Sequence, residues 1–286
     1  MDLSICIVNW NTRDLLAECL ESLDAGRGDL RLQVIVVDNG SADGSAQMVA
    51  ERFPWVELTA NEDNRYYAAG NNQALRQAKA PLLLLLNSDV RVPAGGLQDL
   101  ITWMADKPGV GAVAPRLVYP DGRPQRSCRG FPDPNAVIYE ILGLSRLFPH
   151  SRRFGKYRMT WWSHDDERPV DQPMASAFLL RSEALHQVGL FDERFPMYFN
   201  DVDLCRRLWD AGWEVWFTPS VSFAHHHGAS TRLAKRSMIA ESGRSFLAYY
   251  EKHYAASTPR LTYALATGLL RAAYAGRLAL AALGGT

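Results

Sequence analysis

Leu82-Leu83-Leu84-Leu85-Leu86 runs straight into Asn87-Ser88-Asp89. Five consecutive leucines leave no polar face, so this segment predicts a strand covered on both sides. The same pattern extends outward. Leu3–Val8 is a short run rich in Ile and Val; Leu15, Leu16, Cys19, Leu20 and Leu23 follow at helical spacing, with Asn11 or Thr12 placed to cap. Val34-Ile35-Val36-Val37 ends at Asp38, Asn39-Gly40-Ser41 makes a turn, and Ser45–Phe53 reads as a helix closed by Pro54. Val56–Thr59, Ala68–Ala78, Leu97–Met104 and Val110–Ala114 read as strand, helix, helix and strand. This alternation predicts an α/β fold with a mostly parallel central sheet and helices on both faces. Ligands then bind outside the carboxyl ends of the strands. Asn9-Trp10-Asn11, Asp38-Asn39-Gly40-Ser41 and Asn87-Ser88-Asp89 lie there.

The 286 residues, 47% hydrophobic and 22% charged, suffice for a sizeable core and argue against disorder. The zero net charge hides an asymmetry: residues 228–286 hold eight Lys/Arg and two Glu, leaving 23 basic and 29 acidic residues in 1–227. A basic tail suits an anionic surface such as a membrane leaflet, and equally a solvated helix. Cys6, Cys19, Cys128 and Cys205 form no CxxC pair; Cys6 and Cys19 read as small core residues of a reduced compartment. Met1-Asp2 leads directly into a strand with no basic or apolar leader, so the working face is expected to be cytoplasmic, at the inner face of the plasma membrane if it is membrane-bound.

Residues 120–170 are turn-rich and charged, the character of a functional loop or of a surface insertion. Regular structure resumes at Val170–Leu180, with a helix at Val202–Ala211 and a strand near Val215–Phe217. Leu261–Leu283 is rich in Leu and Ala, contains no acid, and is interrupted by Arg271 and Arg277. A charge at the centre of a spanning helix costs about 2.5–3.5 kcal/mol, which disfavours a transmembrane span. Two readings stay open: an interfacial amphipathic helix, or a helix packed on the enzyme body or a partner subunit.

Four positions carry chemistry. Asp89 ends an apolar strand, where a carboxylate can share a hard divalent cation with diphosphate oxygens. Asp38 can accept a hydrogen bond from a base or ribose, or merely form the turn. Asn200-Asp201-Val202-Asp203 opens a helix; Asp201 suits a general base taking a proton from an acceptor hydroxyl, and the helix dipole alone also favours acids there. Asp203 projects elsewhere and would orient the loop. One of His225-His226-His227 can complete a metal site, or the three form a solvated cluster.

Taken together and in order, Val37–Ser45, Asn64–Asn72, Leu86-Asn87-Ser88-Asp89, Gly189–Glu193, Tyr198–Cys205 and His225–Gly228 resemble family 2 glycosyltransferases, nearest the bacterial rhamnosyltransferase-like branch. The resemblance covers roughly residues 3–232. It implies a GT-A fold and inverting displacement at an anomeric carbon, with Asp201 as catalytic base. It implies Asn9, Asp38, Asn64, Asn72, Asn87 and Asp89 as donor contacts, and Asp89 with His225 as ligands of Mg or Mn. It further implies a dTDP-sugar such as dTDP-rhamnose, with a UDP-sugar behind it, and a saccharide or polyprenyl-linked acceptor in cell-surface polysaccharide assembly. Three departures stand out: Asn87 replaces the first Asp of the family's Asp-x-Asp signature, Asn200 replaces a usual Glu, and Tyr66 replaces a usual Gly.

The implied organisation is a catalytic unit over 1–232 and a basic helical segment over 233–286. The first divides into a nucleotide-binding half, 1–115, and an acceptor half, 116–232. A dinucleotide oxidoreductase would need GxGxxG where Asn9-Trp10-Asn11-Thr12-Arg13 stands. A nucleotidyltransferase would need a phosphate loop near the first strand, where Arg13 alone is cationic. A non-catalytic sugar-nucleotide-binding protein would not need Asp201, and no nucleic-acid partner is expected.

Overall fold

The computed structural model describes residues 1–226 and 235–283. Its first part alternates β1 (Leu3–Asn9), α1 (Arg13–Gly26), β2 (Leu32–Asn39), α2 (Ser45–Arg52), β3 (Glu57–Asn61), α3 (Tyr66–Gln77) and β4 (Leu82–Asn87). β5 (Val90–Arg91), α4 (Gly96–Ala105) and β6 (Val110–Val118) come next. Shorter pieces follow: β7 (Cys128–Arg129), α5 (Pro134–Ile141), α6 (Leu144–Leu147), β8 (Arg168–Pro169) and β9 (Gln172–Pro173). The chain returns through β10 (Ala177–Arg181), α7 (Ser182–Val188), α8 (Asn200–Asp210) and β11 (Glu214–His225), then ends in α9 (Lys235–Tyr254) and α10 (Arg260–Leu283).

Nine strands form one sheet in the order β3-β2-β1-β4-β10-β6-β11-β5, with β8 beside β11. β3, β2, β1 and β4 pair in parallel, as do β6 and β11, while β10 lies antiparallel between β4 and β6. Period-two alternation sends Ile5, Ile7, Val34, Val36, Leu84 and Leu86 to the face covered by α1, α2 and α4. Cys6, Ile35, Val37, Leu83 and Leu85 go to the face covered by α3, α7 and α8. The leucine run is therefore buried from both sides, as its composition requires.

Several boundaries differ from expectation, each for a physical reason. β11 continues from Glu214 to His225 past Pro219; its pairing with β6 shifts between Thr218 and Ser222, where the proline has no N–H to donate. The turn-rich stretch contains α5, started by Asp133 accepting the Ala136 N–H at 2.8 Å with Pro134 in the first turn. Asp-Pro there is a cap rather than a loop. Thr12, at the start of α1, makes no capping bond and instead donates its hydroxyl to Asn9 at 2.6 Å.

The C-terminal helices pack on the rest of the chain. Phe246, Tyr249, Tyr250, Tyr254, Ala266 and Leu270 form a third apolar cluster with Val137, Phe195 and Val202. Leu261, Leu265 and Leu280 stay exposed on α10. Among the described residues no helix is long and apolar enough to cross a membrane. The boundary expected at 232/233, and His227, lie outside the described residues.

Gly40 fixes the turn after β2. Its φ is +66°, and an added Cβ would sit 2.9 Å from the Glu62 carbonyl oxygen. Gly40→Ala is expected to cost about 1–3 kcal/mol of stability through strain and contact, measured by urea unfolding; a loss below about 0.5 kcal/mol would show that the turn can shift at little cost.

Candidate active site

Sheet register brings the three polar clusters to one edge: Asn9 lies opposite Asp38, and Asn87 opposite Val8. Asp38 is buried, with Oδ1 accepting from Asn9 Nδ2 at 2.8 Å and Ser41 Oγ at 2.7 Å, and Oδ2 accepting from Ser41 N at 2.9 Å. These bonds are those of a turn-forming aspartate. Asn9 is itself 0% exposed and uses both ends of its amide, so it supports Asp38 instead of facing a ligand. Asn72 is likewise a brace. It is buried, exchanges two 3.0 Å bonds with the Phe191 backbone and donates to Glu193 at 2.9 Å, tying α3 to the loop before α8. Both amides, expected at the donor, are buried and engaged within the protein.

Asn64 is half-buried and accepts the Tyr66 N–H at 2.8 Å, shaping the approach to α3. Tyr66 has φ +61° and is 44% exposed. A bulky residue in the left-handed region is strained, and glycine would sit there freely. The departure noted at this position thus falls on a backbone conformation suited to the residue it replaced. Asn87 is half-buried and donates to Ser176 Oγ at 3.1 Å.

Asp89 and His225 come together because β5 and β11 pair antiparallel, setting His225 opposite Val90. Asp89 Oδ1 lies 3.3 Å from His225 Nε2, both side chains being buried. Gln125 Nε2 donates to the His225 carbonyl at 2.7 Å, which orients the amide so that its Oε1, 2.8 Å from Nδ1, accepts the ring N–H. Nε2 then faces the Asp89 carboxylate, so a ring nitrogen and a carboxylate oxygen converge where a shared cation could bind both. Two ligands bonded at about 2.1 Å to one ion stand about 3 Å apart, so the pair fits a divalent metal. Among the described residues no third His, Cys, Asp or Glu joins them. Further ligands would come from donor oxygens and water.

Asp201 stands in the first turn of α8, after Phe199 at φ +67°. Its carboxylate accepts the Val202 N–H at 2.9 Å. Burial pushes its carboxyl above the usual range, partly countered by backbone N–H groups of Val202 and Ala175. Tyr67 donates its hydroxyl to the Ala175 carbonyl at 2.8 Å; burial raises it first, and the charges of Asp201 and Asp89 add to the push. Asn87 bonds Ser176, the residue after Ala175, so Asp201 and the Asn87-Ser88-Asp89 strand end border the same segment. Asp201 also lines a cleft of about 580 Å³.

Asp203 plays another part. It is 0% exposed and accepts from Arg207 at 2.9 Å, Lys252 at 2.6 Å and His253 at 2.7 Å, joining α8 to α9. Arg207 also donates to the carbonyls of Val188, Gly189 and Leu190, at 2.6, 2.9 and 2.9 Å, which fixes the loop after α7. Gln125, Lys252 and His253 went unnoticed in the sequence. No local pattern marks them, since each acts on a partner 49 to 100 positions away.

With this geometry in place, comparison with known proteins is decisive: residues 4–162 match the family model described as glycosyl transferase family 2. The chain belongs to glycosyl transferase family 2. This family 2 glycosyltransferase is 32% identical over 226 residues to the N-acetylglucosaminyl-diphospho-decaprenol L-rhamnosyltransferase of Mycobacterium tuberculosis, covering 75% of this chain and 73% of that one. It is 31% identical over 242 residues to the O-antigen biosynthesis protein RfbC of Myxococcus xanthus, covering 80% of this chain and 18% of the relative. Its fold is similar to that of the mannosyltransferase PcManGT from Pyrobaculum calidifontis, solved with GDP-Man and Mn2+. The TM-score is 0.59 at 18% identity, over 99% of this chain and 76% of that one. The fold of this family 2 glycosyltransferase is thus GT-A, a mixed sheet of mostly parallel strands with a C-terminal helical region.

Proposed function

We propose that this glycosyltransferase moves a 6-deoxysugar such as rhamnose from a dTDP donor to a hydroxyl of a lipid-linked saccharide, with inversion and with Mg or Mn bound. The observation that carries the reading is the pairing of a carboxylate of raised proton affinity, Asp201, with the Asp89–His225 pair across one region. The rhamnosyl donor and diphospho-lipid acceptor of the mycobacterial relative support the substrates, and Mn2+ in the mannosyltransferase supports the metal. A UDP-sugar stands second.

In this mechanism Asp201 accepts the proton of the acceptor hydroxyl as its oxygen attacks the anomeric carbon. The carbon–oxygen bond to the diphosphate breaks on the opposite side, inverting the configuration. A metal bound by Asp89 and His225 would offset charge on the departing diphosphate. The β2 turn built around Asp38, with Asn64 and Asn87, shapes the donor side, while Asn9 and Asn72 hold it in place. Residues 1–115 then form the nucleotide half and 116–232 the acceptor half. The exposed Leu261 and Leu265 with basic Arg260 and Arg271 on α10 suit peripheral contact with the cytoplasmic membrane face.

The test is nucleoside diphosphate release from a panel of sugar nucleotides with Mn or Mg, repeated with chelator and with Asp89→Ala. Release from one donor, lost with chelator and reduced about 100-fold or more in Asp89→Ala, is expected. Chelator-insensitive release would overturn the metal assignment. No binding of any sugar nucleotide would overturn the donor assignment.

A further inference from the structure

The cleft bounded by Asp201 is lined by neither Asp38, Asp89 nor His225, so it offers room for a second substrate. Its lining is of two kinds: the charged and polar residues Arg129, Arg158, Arg277, Glu140 and Ser127, and the apolar Val137, Ile141, Phe246, Leu270 and Ala273. Arg158 pairs with Glu140, so its charge is answered within the protein. Arg129 is half-buried, and its guanidinium donates to the carbonyl oxygens of Arg126 and Cys128, each at 2.7 Å. Arg277 is exposed and stacks over the Tyr274 ring at 5.3 Å. Among the described residues no carboxylate forms an ion pair with Arg277, and Arg129 feels Glu140, the partner of Arg158, through space without a direct ion pair. Ser127 Oγ is buried in the same wall without a hydrogen-bond partner.

Holding a guanidinium out of water without a counter-charge is unfavourable unless a ligand supplies the anion. Burial first, and then the neighbouring Arg158 charge, lower the proton affinity of Arg129, against opposing help from Tyr157, Cys128 and Glu140. Guanidinium groups match phosphate oxygens in geometry as well as charge. A bare saccharide would need neither two arginines outside any ion pair nor an aliphatic lining. A ligand with an anionic head and an apolar chain uses both.

We propose that this cleft is an acceptor subsite that binds a diphosphate through Arg129, Arg277 and the Ser127 hydroxyl, with the first isoprene units of its lipid against Val137, Ile141, Phe246 and Leu270. The proposal rests on the reading of Asp201 as the base, because that carboxylate also lines the cleft and would meet the acceptor sugar attached to the diphosphate. It gives α9 and α10 a direct role, since Phe246, Leu270, Tyr274 and Arg277 come from them. The cleft volume lies within the usual range for small-ligand sites.

The experiment titrates the full chain with farnesyl diphosphate and with farnesol, in chelator so that a metal-dependent donor site is silent. Nucleoside diphosphate with Mn is titrated separately. Wild type is expected to bind farnesyl diphosphate and to bind farnesol at least about tenfold more weakly. Arg277→Gln is expected to weaken farnesyl diphosphate about tenfold, and Arg129→Gln more, with nucleoside diphosphate affinity held within about twofold. Arg277 is on the surface, so that variant carries the test even if Arg129→Gln fails to fold. Unchanged farnesyl diphosphate affinity in Arg277→Gln, equal affinity for farnesol, or no binding by wild type would overturn the subsite. So would a loss of nucleoside diphosphate affinity instead, which would make the cleft a donor site. Arginine-dependent farnesyl diphosphate binding in a protein that turns over no sugar nucleotide would leave the subsite standing and remove the donor reading.

Discussion

Asp201→Asn is expected to lower the transfer rate by about 1,000-fold while donor binding stays intact, because a positioned base contributes about 100- to 10,000-fold and touches no part of the donor. The same change is expected to raise thermal stability at neutral pH. Burial holds the Asp201 carboxyl above its ordinary range, so folding favours the protonated form. Stability from such a group is complete below its unfolded pKa and is lost as pH rises through the folded one. The neutral amide escapes that loss. The variant's advantage should therefore open toward neutral pH and close in acid, and wild-type transfer should decline on acidification earlier than an ordinary carboxylate would dictate. Single-turnover release of nucleoside diphosphate and melting curves across a pH series measure both. Transfer at the wild-type rate would place the base elsewhere; a less stable variant at neutral pH would contradict the burial argument.

Asp203→Asn, two positions on, is expected to do the reverse: a loss of about 3–5 kcal/mol in stability from leaving buried cations without their anion. Burial by itself pushes the Asp203 carboxyl up, but hydrogen bonds from His253 and Lys252 and the Arg207 charge carry it below the usual range. A depressed carboxylate contributes stability that is present above its unfolded pKa and is lost as pH falls through its folded one. The gap between wild type and variant should accordingly be full at neutral pH and shrink in acid. Urea unfolding at neutral and acid pH reads it out. A neutral-pH difference under about 1 kcal/mol would mean that the aromatic cluster alone docks α9. Two aspartates in one helical turn would thus answer pH in opposite senses, one exposed to a cleft and the other enclosed by cations.

The sheet was legible because a strand buried on both faces must be apolar at every position, which Leu82–Leu86 is. The strand-end clusters were legible because parallel register aligns carboxyl ends whatever the loops between them do. Side-chain direction was not. Asn9 and Asn72 were expected at the donor from the family resemblance, and the structure engages their amides with Asp38, Thr12 and the Phe191 backbone. The place of β10 was hidden for a related reason: an apolar run does not say which neighbours it takes or in which sense. Gln125, which sets the tautomer of His225, lies in the turn-rich stretch 100 positions away and has no local signature.

The position of β10 also bears on how the chain is made. β1 to β4 can pair as soon as they leave the ribosome, but the second edge of β4 waits for Ala177–Arg181. β6 has no sheet partner at all until then, because both, β10 and β11, are encoded after it. At roughly 5–20 residues per second the interval between β6 and β10 lasts on the order of several seconds. During it the most leucine-rich strand of the protein presents an open edge, the form in which nascent chains pair with one another. Slower translation before Ala177 is therefore expected to lengthen that exposure, and a chaperone shielding the edge to limit association between nascent chains.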